Sequence, residues 1–161
     1  MAASRERLMG YRRALAVRDL PADPALIVRE SCQISGGTAA LPRLRQLPDP
    51  PTAVCCCCDR TALGAYAGAA TAWLRIPGDL PVIGFGNESF TAGRAPPLTT
   101  MEPPQADMAR HAVEKLQRTM ARPGSGPRHA RLKFDCPMIP RASVARPGAA
   151  APLRAEAAAR G

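Results

Sequence analysis

Residues 51–86, PPTAVCCCCDRTALGAYAGAATAWLRIPGDLPVIGFG, constrain the fold more than any other stretch of this chain. Residues 53–58 are a short apolar run of strand length, and Asp59 behind them is a carboxylate suited to capping a following helix. Residues 61–74 are rich in alanine. Leu63, Tyr66, Ala70 and Trp73 recur there at the spacing of one helical face. Pro77, Gly78 and Asp79 break that helix, and residues 80–85 run apolar again. Two buried strands joined by a helix make a parallel crossover, since parallel neighbours need a long connection. The expected fold class is therefore α/β, a parallel Rossmann-like sheet with flanking helices. In such open sheets a ligand sits beyond the carboxyl ends of the strands, here at Cys58-Asp59 and at Phe85-Gly86-Asn87.

Further elements flank this unit. Residues 5–17 read as a helix with Leu8, Tyr11 and Leu15 on one side, and residues 26–29 as a short strand. Residues 36–47 carry helical spacing at Ala40, Leu44 and Leu47, with Pro42 requiring that the helix start near it. Residues 98–101 read as extended chain. Pro103 and Pro104 then open a helix to about Met120 whose inner stripe is Met108, Ala112, Val113 and Leu116. Residues 122–128 form a turn-like link, and residues 131–139 a last strand that Pro137 and Pro140 push to a sheet edge. Residues 144–161, dominated by Ala, Pro and Arg, are expected to be a disordered tail.

The length of 161 residues bounds this to one ordinary domain, and a hydrophobic fraction of 46% is ample for its core. No apolar run reaches membrane-spanning length, and residues 1–7 are charged, without the apolar segment of a signal peptide. The expected location is the cytoplasm, with no membrane partner. The formal charge of +9 raises the question of nucleic acid. The basic residues are nearly all Arg, with Lys only at Lys115 and Lys133, and they are scattered along the chain. Without a basic stripe or a reading helix, they read as a solvated surface, and no direct DNA contact is expected.

The cysteine run tempts a metal reading. Residues 55–58 alternate faces if they form a strand, so one tetrahedral zinc cannot collect all four. Outside ligands would have to come from Cys32, Cys136, His111 or His129, none at finger spacing. The cysteines therefore read as small buried hydrophobes, with no metal, no cofactor and, in a cytoplasm, no disulfide. Gly84-Phe85-Gly86 is followed by turn and extended chain instead of a phosphate-binding helix, and no G-x-S-x-G is present. His111 and His129 read as solvent-facing without a nucleophile partner, so no enzyme is expected.

Taken in order, several motifs resemble the LacI/GalR family of bacterial transcription regulators. These are Gly10-Tyr11 with Ala14-Leu15, PPTAV, the Asp after the strand, ALGAY, the Pro-Gly-Asp-Leu break, VIGF, the segment Pro96-Pro97-Leu98-Thr99-Thr100, and Arg141 with Ser143. The resemblance implies a periplasmic-binding-protein-like sensing segment, residues 1–143, truncated at its N-terminus. It would lack the helix-turn-helix and the first, central strand of a sheet ordered 2-1-3-4-5, which deprives residues 26–29 of a neighbour. Residues 103–121 would be a helix of an otherwise missing subdomain, whose stripe loses the sheet it should cover. The implied function is effector sensing and dimerisation for a transcription regulator. Alternatives are a stand-alone cytoplasmic carbohydrate-binding module, a non-functional gene fragment, or a thiol or metal protein built on the cysteine run.

The same resemblance implies where a sugar or nucleoside effector is gripped. Arg7 matches a gripping Arg, and Asp59 matches the Asp of an Asn-Asp pair. The pattern departs at Cys58 in place of the Asn, at Gly86 in place of an Asp, and near Cys32 in place of a stacking aromatic. An absent carboxylate at Gly86 removes a charge-assisted acceptor worth about 1.5–3 kcal/mol. Asn87 and Glu88 are the nearest substitutes. Leu63 and Arg94 fall at positions implied to contact a second copy in a homodimer.

Overall fold

A computed structural model describes residues 2–121 and 132–145. The chain runs α1 (Ala2–Ala16), a 3-10 turn (Pro24–Leu26), α2 (Ile34–Arg45), β1 (Val54–Cys55), α3 (Asp59–Thr71) and β2 (Val82–Phe85). A second 3-10 turn (Ser89–Thr91), β3 (Thr99–Met101), α4 (Gln105–Ala121) and β4 (Met138–Ile139) complete it. The sheet has the order β1-β2-β3-β4. Its first three strands are parallel, in the register Val54↔Val82 and Ile83↔Thr99, and β4 closes the edge antiparallel through Thr100↔Ile139. This is the expected α/β class, with β1-α3-β2 as the crossover and β4 at the edge where its prolines direct it. The link at 122–128 and the segment from 146 onward lie outside the described residues.

The core is small and sits between α2, α3 and the sheet. Leu41, Cys56, Ala62, Ala65, Ala69, Leu80, Val82 and Leu98 form one buried cluster. Small residues set how near the two helices lie. A Cβ on Gly37 would collide with the Thr61 carbonyl, and one on Gly64 with the Ile34 carbonyl, so backbone meets backbone. At the strands' amino-terminal ends, Ser143 is fully buried and joins two of them. Its hydroxyl donates to the Val82 carbonyl at 2.6 Å and accepts from the Thr99 amide at 2.7 Å, while the Val82 amide donates to the Ser143 carbonyl at 2.9 Å.

Several expectations are corrected. The expected strand at 26–29 is absent: Leu26 ends a 3-10 turn, residues 27–29 pair with no strand among the described residues, and β1 has β2 as its single neighbour. A strand needs a ladder partner, and none lies beside this one. Pro42 is inside α2, eight residues after its start. It is tolerated because it faces outward, where the Thr38 carbonyl it leaves unbonded can meet water, while Leu41 and Leu44 anchor the helix inward. Trp73 is not on the inner face of α3. It follows the helix with a positive φ of 56° and is 92% exposed, whereas Ala62, Ala65 and Ala69 make the contact. The stripe of α4, expected to have lost the sheet it should cover, is uncovered: none of its residues is buried, and Met108, Val113, Leu116 and Met120 are exposed. His111 is half-buried instead of solvent-facing, edge-on to Phe134 with ring centroids 5.4 Å apart.

Candidate functional site

The carboxyl ends of β1 and β2 gather the side chains that can carry chemistry, and α1 lies across them. Arg7 of α1 donates from Nη1 to the Cys57 carbonyl at 2.9 Å. Its guanidinium carbon stands 3.9 Å from the centroid of the Phe85 ring, a cation–π contact that orients the fork over the strand ends. The Arg7 stem is half-buried there, anchored to both β1 and β2.

Four consecutive cysteines divide their labour by the strand's alternation and the turn that follows. Cys56 is buried in the core, as a small hydrophobe is expected to be, but Cys55 is exposed. Cys57 and Cys58 are half-buried and meet Cys32 from the segment that leads into α2, which corrects the all-buried reading. The Cys32 and Cys57 sulfurs are 3.5 Å apart, and the Cys58 Sγ lies 3.8 Å from the Cys32 carbonyl. The Thr61 hydroxyl is 3.2 Å from the Cys58 sulfur and 3.8 Å from that of Cys57. Burial, reinforced by the Cys32 contact, pushes the Cys57 thiol up to about 11, and burial among neighbouring thiols pushes Cys56 up as well.

Asp59 lies beneath this layer. It is fully buried, accepting from the Thr100 hydroxyl at 2.6 Å and from the Glu88 amide at 2.9 Å. It does not cap α3: Cys58 holds the cap position, without a side-chain cap bond, and Asp59 begins the helix with its carboxylate turned toward the sheet. The loop after β2 is moulded around that carboxylate. A Cβ on Gly84 would strike Asp59 Oδ1, and Gly86, at φ 141°, passes within contact of Oδ2. Asn87 follows in a left-handed conformation, φ 49°. Its amide donates to Glu102 at 2.8 Å and its carbonyl accepts from Arg141 at 2.6 Å. Arg141 also donates to the Leu98 carbonyl at 2.7 Å, tying the ends of β2, β3 and β4 together. A groove of about 380 Å³ opens beside Gly86 and Asn87, against Glu102, Pro103 and Asp107 at the start of α4.

Of the residues expected around an effector, Arg7, Cys32 and Cys58 therefore converge, Gly86 and Asn87 flank them, and Asp59 supports the layer from below. Phe85 stands at the strand end where a ligand was expected, whereas Cys57, Thr61, Thr100 and Arg141 were not foreseen as members. Of these, Thr100 and Arg141 lie in motifs the sequence singles out, without any sign of this role. Leu63 is half-buried on α3 and Arg94 is exposed. One turn beyond Leu63, the Tyr66 hydroxyl donates to the Pro96 carbonyl at 3.1 Å. Burial raises the Tyr66 pKa, and Ser143 and, less, the Arg94 charge oppose the rise.

Residues 2–144 match the model of the periplasmic binding protein-like domain. The HTH-type transcriptional repressor CytR of Escherichia coli K12 is 40% identical over 140 residues, covering 86% of this chain and 40% of the repressor. The chain belongs to the LacI family. Solved structures agree with this LacI-family fold. The transcriptional regulator CelR in complex with cellobiose superposes with a TM-score of 0.78 at 27% identity, over 86% of this chain and 42% of CelR. A LacI family regulator from Enterococcus faecium with bound ribose gives 0.76 at 25% identity, over 88% and 52%. The chain thus spans about two-fifths of the length of the repressor it matches, within the effector-binding segment. The matched relatives are transcriptional regulators and not enzymes, in agreement with the sequence. No helix among the described residues is long and apolar enough to cross a membrane.

Proposed function

We propose that this chain is the effector-sensing and dimerisation part of a cytoplasmic LacI-type regulator, and that its effector is a small polyhydroxylated molecule of the carbohydrate class. The observation that carries this is Arg7, held by the Cys57 carbonyl and the Phe85 ring at the strand ends where open α/β sheets bind ligands. Its remaining guanidinium donors form a planar fork suited to vicinal hydroxyls. The matched structures with ribose and with cellobiose support that chemical class. Asn87 supplies the polar group on the opposite rim, and Asp59 holds the intervening loop. Gly86 leaves that rim one carboxylate short. Cys58 and Cys32 line the near wall, and α4 belongs to the opposing lobe of the clamp. Leu63 and Arg94 form the edge that meets a second copy.

Calorimetric titration of the chain with ribose and with cellobiose tests this. Saturable binding of one of them, weakened ten- to a hundredfold in Arg7→Ala by loss of charged hydrogen bonds worth about 1.5–3 kcal/mol, is the expected result. No saturable heat with either sugar overturns the effector class. Sedimentation of Leu63→Glu tests the dimer separately: the wild-type chain should run as a dimer and the variant as a monomer.

A further inference from the structure

The effector reading uses Cys32 and Cys58 only as wall and leaves Cys57 aside, while the geometry of the three thiols together has a meaning of its own. We propose that Cys32, Cys57 and Cys58 form a sulfur-only site for one soft, thiophilic metal ion at the carboxyl end of β1. This goes beyond effector sensing and holds whether or not a sugar binds.

The sulfurs all lie within 4.8 Å of one another, the Cys32–Cys57 pair at 3.5 Å. Three sulfurs held at ~2.3 Å from one ion stand roughly 3.8–4.0 Å apart in tetrahedral or trigonal geometry, so the cluster needs adjustments of at most about 1 Å. The ligands come from two segments. Cys57 and Cys58 lie in the turn between β1 and α3, while Cys32 reaches across from the approach to α2, so the ion would clip α2 to α3. Half-burial leaves an entry path from solvent. A thiolate set carries excess negative charge, which the amino terminus of the thirteen-residue α3 behind Cys58 and the Arg7 guanidinium bonded to the Cys57 carbonyl partly offset; the buried Asp59 carboxylate adds to it, so the charge of the bound ion has to supply the rest. The Thr61 hydroxyl against two of the sulfurs is placed to donate a hydrogen bond to thiolates. A donor set of sulfur alone selects monovalent copper or divalent zinc over magnesium or calcium. Binding exchanges three thiol protons, released to solvent, for one ion, with no change of oxidation state.

The test titrates the reduced full chain with Zn²⁺ and separately with Cu⁺ held by a competing chelator. At least one ion should bind at one equivalent, and Cys32→Ser, Cys57→Ser and Cys58→Ser should each weaken it tenfold or more. Cys55→Ser and Cys136→Ser should bind as wild type. On the unaltered chain, the bound ion should protect Cys32, Cys57 and Cys58 from alkylation, read by peptide mass, and leave Cys55 open. That measurement stands even if a variant fails to fold. Failure of both ions to bind, binding that survives in a folded Cys57→Ser, or recovery of Cys32 and Cys57 only as a disulfide overturns the proposal. Ribose and cellobiose titrations of the same preparations keep its failure distinct from failure of the effector reading.

Discussion

Ser143 gives two strands a shared partner that neither can replace. Its hydroxyl is the acceptor for the Thr99 amide and the donor to the Val82 carbonyl, and all of this is out of reach of water. Ser143→Ala should therefore destabilise the fold by about 1–3 kcal/mol for each group left unpaired, read as a lower denaturation midpoint in urea. Asp79 offers a test in the opposite setting, at the surface. Its carboxylate takes three bonds from Arg75, two of them from the guanidinium, and these hold its pKa down to about 2. A depressed carboxylate stabilises above its unfolded pKa, near 3.8, and that contribution fades as pH falls toward 2. An NMR titration should place the Asp79 midpoint near 2 in the wild-type chain and higher in Arg75→Ala, though still below the ordinary carboxylate value, because the backbone amide at position 75 keeps its bond. At this scale the sequence marks residues but not their partners. Asp59 stands out as a carboxylate after a strand, yet its bond to Thr100, 41 residues on, decides that it supports the loop instead of capping a helix. Cys32 and Cys57 are 25 residues apart, a separation no local spacing rule connects.

The α2–α3 pair turns on which glycine carries the contact. Alanine at position 64 would drive its Cβ into the Ile34 carbonyl, a backbone atom that moves only if the helix moves. At position 68 the nearest atoms are Leu41 Cδ2 at 3.1 Å and Cβ at 3.3 Å, side-chain contacts that need a shift of only a few tenths of an ångström. Alanine also favours a helix by about 1 kcal/mol over glycine at either place. Gly64→Ala should therefore cost about 1–3 kcal/mol, an overpacking penalty, while Gly68→Ala should stay within about 1 kcal/mol of wild type. Thermal melts of the two variants side by side check the difference. Elements whose signal is local were legible: the apolar runs of β1 and β2, the alanine-rich α3 between them, and the prolines that open α4 and confine β4 to an edge. Elements whose existence depends on a distant neighbour were not. Residues 26–29 have a strand's composition and no ladder to join. Trp73 keeps helical spacing but falls past the end of α3, where a left-handed turn swings it into solvent.

Stability is unevenly spread over the molecule, because burial is. Leu41, Ala62, Ala65, Ala69, Leu80, Val82 and Leu98 put α2, α3, β1 and β2 around one cluster, and Ser143 ties the returning chain to the same strands. These parts share their contacts, so they should open together. α4 is different in kind: seventeen residues, none buried, held among the described residues by the His111–Phe134 edge and by the Asn87–Glu102 bond just before the helix begins. An isolated helix of that length is marginal in water, and two side-chain contacts do not replace a packed face. Hydrogen exchange should then report two classes of amide. Those of α3 and β2 should exchange only through global unfolding, while those of α4 should exchange through local opening at least about 2 kcal/mol cheaper. Val113→Gln with Leu116→Gln, which removes apolar area that covers nothing, should leave the protection of α3 unchanged. Equal protection of α4 and α3 would mean that a second surface covers the exposed stripe in solution. In that case protection of α4 should fall on dilution if the cover is another copy of the chain, because only an association between molecules depends on concentration.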